Sequence, residues 1–346
     1  MTYSLLDNEQ RRAAIDQGQV FASYQEVMRD WQRTRGGLSW QRTGGKEYLV
    51  RTLARGIKKS LGPRSPDTER YLADFRERKA ALQDKRRGLE SRLARQAGVC
   101  RALGLGRVPK MVAAIVRALA DVRLDHKTTT IIGTHALYAY ESLAGVHFAS
   151  DLLATRDLDM LWDARSRLQC ATRIPPQGLL AILRTIDRSF SVLDHTPFRA
   201  VNREGFLVDL LQEPVPMHKT PTPSFAPEDD FVVVEAPVQW LIASPKVSAV
   251  ALDERGFPVS FSVPDPRAFA LHKLWVSRRP DRDPVKKPRD AAQAIALVAL
   301  IQRELPQFAF SETALQMFPQ SVRNLMGDAI RKETEEDQTF GGWNPR

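Results

Sequence analysis

The sequence predicts an α+β protein, a mixed sheet with flanking helices, set between an N-terminal helical region and C-terminal helices. Three observations predict it. Helical patterning dominates to about residue 125, and short apolar runs alternating with helical patterns begin at Thr128. The charge divides at the same place: residues 1–125 hold 26 Lys+Arg against 14 Asp+Glu, a net of +12, while residues 126–346 hold 25 against 27, a net of −2. The composition, 43% hydrophobic and 27% charged, is that of a globular chain able to bury a core. The expected divisions are a basic, mainly helical region over 1–125, an α/β core over 126–265, and a helical region over 266–346 ending in a poorly ordered tail, ETEEDQTFGGWNPR.

A first helix is expected around 8–33. Gly36-Gly37 and Gly44-Gly45 then punctuate a short strand or loop pair. In LGPRSPDTER, Ser65 suits an N-cap and Pro66 the first helical position, while Asp67 and Glu69 complement the helix dipole. The helix continues to about Leu103 through Leu72, Phe75, Leu82, Leu89 and Leu93 at near-heptad spacing. Another follows at about 109–122. TTTIIGTHALYAYESLAG reads as a buried strand, a Gly-Thr turn and a helix closing near Gly145, and TRDLDMLWD as a second strand. A helix around 176–188 precedes FSVLDH and FRAVNREGFLVDLLQ, a hairpin whose second member carries Asp209. EPVPMHKTPTPSFAPEDD reads as an exposed loop. FVVVEA and SAVALDERGFPVSFSV add strands, and FALHKLWVSRR and DAAQAIALVALIQREL are helices.

Several classes are excluded or disfavoured. No apolar run approaches the ~20 residues that span a bilayer, and MTYSLLDNEQRRAAID lacks the layout of a signal peptide. Cys100 and Cys170 form no disulfide framework, so a reducing cytoplasm is expected. Six scattered histidines give no zinc motif. The basic excess favours an anionic partner, nucleic acid first.

The chemistry gathers in three pieces. A strand ends at Gly133-Thr134 and opens a helix, a strand carries Asp157 and Asp159 on one face, and a later strand carries Asp209. Two acids that close repel each other unless a cation lies between them. Backbone N–H groups at such a turn receive phosphate, and carboxylates with substrate phosphates suit Mg²⁺. Two such ions can bind a triphosphate and activate an attacking hydroxyl. Lys59, Arg64 and Ser65, in KKSLGPRS, are candidate anion or nucleic-acid contacts at a helix start, against the plainer reading of a well-capped helix.

This pattern resembles the active site of the DNA polymerase β-like nucleotidyltransferase superfamily, with Thr134 in place of the usual Gly or Ser and a longer segment than usual before Asp157. WQRTGGKEYLVR, KSLGPRS, GRVPK, IIGTHALYAYESLAGV, TRDLDML and VPDPRAFALHKLWVSRR…KKPRDAAQA resemble the bacterial GSU2403-type nucleotidyltransferase-fold family over most of 35–300. The late motif is similar to AbiEii-type toxin nucleotidyltransferases. The resemblance implies a polymerase β-like core and a nucleotidyltransferase that takes an NTP and Mg²⁺, with two ions expected. Asp157, Asp159 and Asp209 would be catalytic and metal-holding, and Gly133, Thr134, Lys273 and Asp290 nucleotide-binding. The acceptor would be RNA, with a tRNA-like end as the leading form, bound through the basic N-terminal region. An antitoxin or other protein partner and a toxin or defence role follow from the AbiEii similarity. The alternatives are nucleotidylation of a protein or a small molecule, or a catalytically silent nucleic-acid-binding module.

Overall fold

The computed structural model describes residues 2–53, 56–122, 124, 129–162, 178–193, 196–212, 234–235 and 239–316, with isolated positions as far as 327. The proline-rich segment 213–230 and the tail from 333, both singled out above, lie outside the described residues. The chain forms two compact units. One comprises Glu9–Leu105 with Arg255–Pro258; the other comprises residues up to Asn8, Gly106–Glu254 and the chain from Val259 onward.

A short strand β1 (Tyr3–Leu5) precedes helix α1 (Asn8–Arg33), which opens the first unit. Strands β2 (Gly37–Thr43), β3 (Lys46–Thr52) and β4 (Lys58–Pro63) follow as an antiparallel sheet in that order. Gly44 and Gly45, at φ 58° and 78°, close the β2–β3 hairpin where Thr43 pairs with Lys46. Both central residues of such a two-residue turn need positive φ. Strand β4 is a finding, since KKSLGPRS reads from sequence mainly as a helix start. Helix α2 (Pro66–Ala102) begins at the expected cap: the Ser65 hydroxyl accepts from the Thr68 N–H at 3.3 Å, and the Thr68 hydroxyl accepts from the Ser65 N–H at 2.9 Å. Leu72, Leu82, Leu93, Ala97 and Cys100 form its buried side.

The second unit contains α3 (Lys110–Asp121) and a mixed sheet. Its strands are β5 (Thr129–Ile132), β7 (Asp157–Trp162), β8 (Ser191–Leu193), β9 (Thr196–Val201) and β10 (Leu207–Gln212). The sheet order is β5-β7-β10-β9-β8, and β11 (Val234–Glu235) pairs with the end of β10. Strands β7 and β10 are parallel; β5 with β7, and β9 with β10, are antiparallel. Alternation along β7 explains its sequence. Leu158 and Met160 are fully buried in the core, joined there by Val208 and Leu210 of β10, while Asp157 and Asp159 take the opposite face.

Helix α4 (Leu137–Ala144) ends on Gly145 in the left-handed conformation, φ 65° and ψ 47°. The segment after it, which lengthens the interval before Asp157, folds as β6 (Val146–Phe148) and α5 (Ser150–Leu153). Strand β6 pairs with β1, a contact between residues more than 140 apart that no local pattern announces. Helix α6 (Gly178–Ile186) buries Leu179, Leu180, Ile182 and Leu183. After α7 (Gln239–Ala243), strands β12 (Lys246–Leu252) and β13 (Pro258–Pro264) pair with each other. Helices α8 (Pro266–Ser277) and α9 (Lys287–Glu304) then pack Phe269, Leu271, Leu297 and Leu300 into the same core as the sheet. A short helix, α10, covers Glu312–Leu315. Among the described residues, no helix is long and apolar enough to cross a membrane.

Candidate active site

The sheet register builds the site. Ile132 of β5 lies opposite Asp159 of β7, Asp159 opposite Asp209 of β10, and Asp209 opposite Arg199 of β9. One row of cross-strand neighbours therefore carries two acids and a guanidinium, with Asp157 two residues along on the same face.

Gly133 ends β5 at φ 67° and ψ −162°, and a Cβ built on it would fall on the Asp159 carboxylate, 2.9 Å from Cγ. Only glycine brings the turn this close to an acid. The long segment before Asp157 thus leaves Gly133 against Asp159. That segment sits beside the turn: the Leu152 carbonyl accepts from Gln293 Nε2 at 2.6 Å, and the Ala154 carbonyl accepts from Arg289 Nη1 at 2.5 Å. Gln293 Nε2 also lies 3.2 Å from Thr134 Oγ1. With the Thr134 oxygen accepting from the amide, its own O–H is left to donate elsewhere.

Asp159 is half-buried, and desolvation pushes its carboxyl up to about 7, reinforced by Asp157 and Asp209 and opposed by Lys273 and Lys286. Asp157 is partly exposed, accepts from the Thr155 hydroxyl and faces Lys286 Nζ at 3.5 Å. Asp209 is bound through both oxygens by Arg199, at 2.7 Å from Nε and 2.5 Å from Nη2. Lys273, on α8, is buried and donates to Asp290 Oδ1 of α9 at 2.7 Å; Arg282 Nε holds the other oxygen at 2.7 Å. Burial lowers the Lys273 pKa, while Asp290 and, less strongly, Asp159 act to hold its proton. Burial would raise Asp290, but Lys273 and Arg282 overcome it and keep its carboxyl below the usual range.

The structure thus brings Gly133, Thr134, Asp157, Asp159, Asp209, Lys273 and Asp290 together in one unit. Lys59, Arg64 and Ser65 lie in the other. There Arg64 is engaged by Glu47 at 2.7 Å and Glu69 at 2.6 Å and covers the Trp40 ring, and Ser65 is the helix cap. Lys59 is exposed on β4. Trp31 lies under Lys79 and Arg86, its nearest cation 5.0 Å from the ring centroid. Sequence reasoning missed Arg199, Arg282, Lys286 and Gln293. The last two sit inside KKPRDAAQA, and Arg282 in the charged loop before it. Nothing in FRAV distinguishes Arg199 from a solvated strand residue.

Among the described residues, no three His, Cys, Asp or Glu side chains form a ready-made metal cage. Asp157 and Asp159 nonetheless fit a divalent cation, because Mg²⁺ takes one or two carboxylates and completes its shell with phosphate and water.

A family model described as nucleotidyltransferase matches residues 110–318. The chain belongs to this nucleotidyltransferase family. Its reaction class is transfer of a nucleoside monophosphate from an NTP, with a divalent metal in general use across the family. No curated protein matches the chain significantly. Among solved structures, an antigenic nucleotidyltransferase-like protein from Paracoccidioides brasiliensis is similar at 17% identity over 66% of this chain and 90% of that one, with a TM-score of 0.36, too loose a likeness to bear on the site. The matched region of this nucleotidyltransferase contains every residue of the carboxylate row.

Proposed function

We propose that this nucleotidyltransferase transfers an NMP from an NTP, with Mg²⁺, to an acceptor hydroxyl on RNA, a tRNA-like end being the leading form. The observation that carries the reading is the seating of the Gly133-Thr134 turn directly against Asp159 within a row of carboxylates. The turn receives the triphosphate through its N–H groups and the Thr134 hydroxyl, which Gln293 orients. Asp157 and Asp159 hold the cation, which when bound neutralises the phosphates and the developing charge on the leaving pyrophosphate. Lys273, placed by Asp290, adds a point charge. Asp209 holds Arg199 beside them. Catalysis is then largely positioning and electrostatic stabilisation.

The acceptor is argued from charge. The +12 excess of residues 1–125 falls largely in the unit made of α1, α2 and β2–β4, with Lys58, Lys59, Arg76, Arg78, Lys85 and Arg87 exposed. A surface of this kind binds a phosphate backbone by counterion release. A toxin or defence role, with an antitoxin partner, rests on the similarity of the Lys273 and Asp290 motif alone.

Incubation with α-labelled NTPs, Mg²⁺ and total cellular RNA and protein tests the proposal. Label on RNA, lost in Asp157→Ala, is expected. Label on protein or a small molecule instead moves the acceptor, and no transfer to anything refutes the reading.

A further inference from the structure

Resting on the reading of this row as the nucleotide site, we propose that the enzyme loads one divalent cation, on Asp157 and Asp159, and that Arg199 withholds Asp209 from the ligand set while supplying the second positive charge itself. Two ions are what a set of three carboxylates suggests from sequence; the sheet register argues otherwise.

Arg199 and Asp209 are not a chance surface pair. They lie directly opposite on adjacent antiparallel strands, so the backbone ladder fixes their approach. Both carboxylate oxygens are engaged, Oδ1 by Nε at 2.7 Å and Oδ2 by Nη2 at 2.5 Å, the fork-on-fork geometry that Arg makes and Lys does not. The Asp209 side chain is 7% exposed and that of Arg199 29%, so the pair is largely withdrawn from water. Separating a pair so placed leaves an uncompensated, mostly buried charge.

A second divalent ion on Asp209 would enter beside a fixed positive charge that already balances that carboxylate. Asp157 and Asp159 are placed differently. Asp157 accepts from the Thr155 hydroxyl and faces Lys286 Nζ at 3.5 Å, and Asp159 has the Gly133 turn seated against its carboxylate. Asp209 therefore acts as a positioning residue, acting through Arg199.

The test uses the full chain with an equimolar non-hydrolysable NTP analogue and Mn²⁺ in excess of two per chain, read by native mass spectrometry and by the electron paramagnetic resonance spectrum of the bound ions. Wild type is expected to hold one Mn²⁺ per chain with an uncoupled spectrum. Arg199→Gln, which frees Asp209, is expected to hold two with a spin-coupled spectrum, and Arg199→Lys, which keeps the charge, to stay nearer one. Asp209→Asn is expected to retain the single ion, and decides the matter if Arg199→Gln does not fold. A coupled pair in wild type, a single ion in folded Arg199→Gln, or loss of the ion in Asp209→Asn overturns the inference and leaves the nucleotidyltransferase reading standing. No bound ion in wild type refutes both.

Discussion

Asp290 bridges two cations, and that geometry makes the consequences of removing each partner unequal. Its side chain is fully buried, with Lys273 on one oxygen and Arg282 on the other, at 2.6 Å from Nη2. In Asp290→Asn both cations lose their counter-charge, and Lys273, 8% exposed, has little access to solvent to make up for it. Leaving a buried charge unpaired costs about 3–5 kcal/mol. In Lys273→Met, Asp290 keeps Arg282, the butyl stem is replaced by a side chain of similar length, and the ammonium is no longer desolvated. The cost is then that of one charged hydrogen bond, about 1.5–3 kcal/mol, reduced by relief of that burial. The two variants should differ by roughly 2 kcal/mol, or about 1 M in urea midpoint at an m-value of about 2 kcal/mol/M. Equilibrium urea unfolding followed by circular dichroism and tryptophan fluorescence measures it. If Asp290→Asn unfolds at or above the midpoint of Lys273→Met, Asp290 is not the bridge argued here. Binding of a fluorescent NTP analogue by the folded Lys273→Met protein separates the second role, since loss of the ammonium should weaken nucleotide binding even where the fold survives.

Other perturbations test neighbouring parts of the argument. Gly133→Ala forces a left-handed residue and drives a methyl into Asp159, so NTP-analogue affinity should fall at least about tenfold, from roughly 1–2 kcal/mol of backbone strain alone, with secondary structure retained by circular dichroism. Gln293→Leu removes the amide that orients Thr134; KM for the NTP should rise several-fold, and Gln293→Glu should not rescue it, because the carboxylate cannot donate to Thr134 and Leu152. His135 is buried, which lowers its pKa to about 4 against the pull of Asp157, so the folded protein keeps it neutral where the unfolded chain protonates it. Stability from this group is complete above about pH 6.5 and is lost as pH falls toward 4, at up to about 1.4 kcal/mol per unit. A His135→Phe protein should show a correspondingly flatter acid limb in urea midpoints. Reversing Arg76, Arg78, Lys85 and Arg87 to Glu should weaken RNA binding and its salt dependence while leaving NTP binding unchanged, read by titration of labelled RNA at several salt concentrations.

What was legible in the sequence was set by local physics. The Ser65 cap, the Gly44-Gly45 turn and the left-handed Gly145 each follow from one residue's side chain or φ preference, and each sits where expected. The alternation in DLDML placed two acids opposite two core side chains, because a strand's period is fixed whatever lies beside it. The parts that were not legible are those decided by which strands become neighbours. Strand β1 pairs with β6 across most of a domain's length of chain, and the segment before Asp157 is thereby folded rather than looped.

Arg199 is the sharpest case. In FRAV it is one charged residue on a short strand, and only the β9–β10 register sets it opposite Asp209. A pattern that counts acids therefore registers three ligands, whereas in the folded row the third is already gripped through both oxygens by Arg199. The number of carboxylates in a motif does not by itself fix how many ions a site holds, because phosphate and water also serve as ligands; the cations that the register places opposite the acids weigh on the count as well. For this enzyme the row has one built-in cation, so the ion count, more than the presence of the three aspartates, is the measurement that distinguishes its site from a fully metal-dependent one.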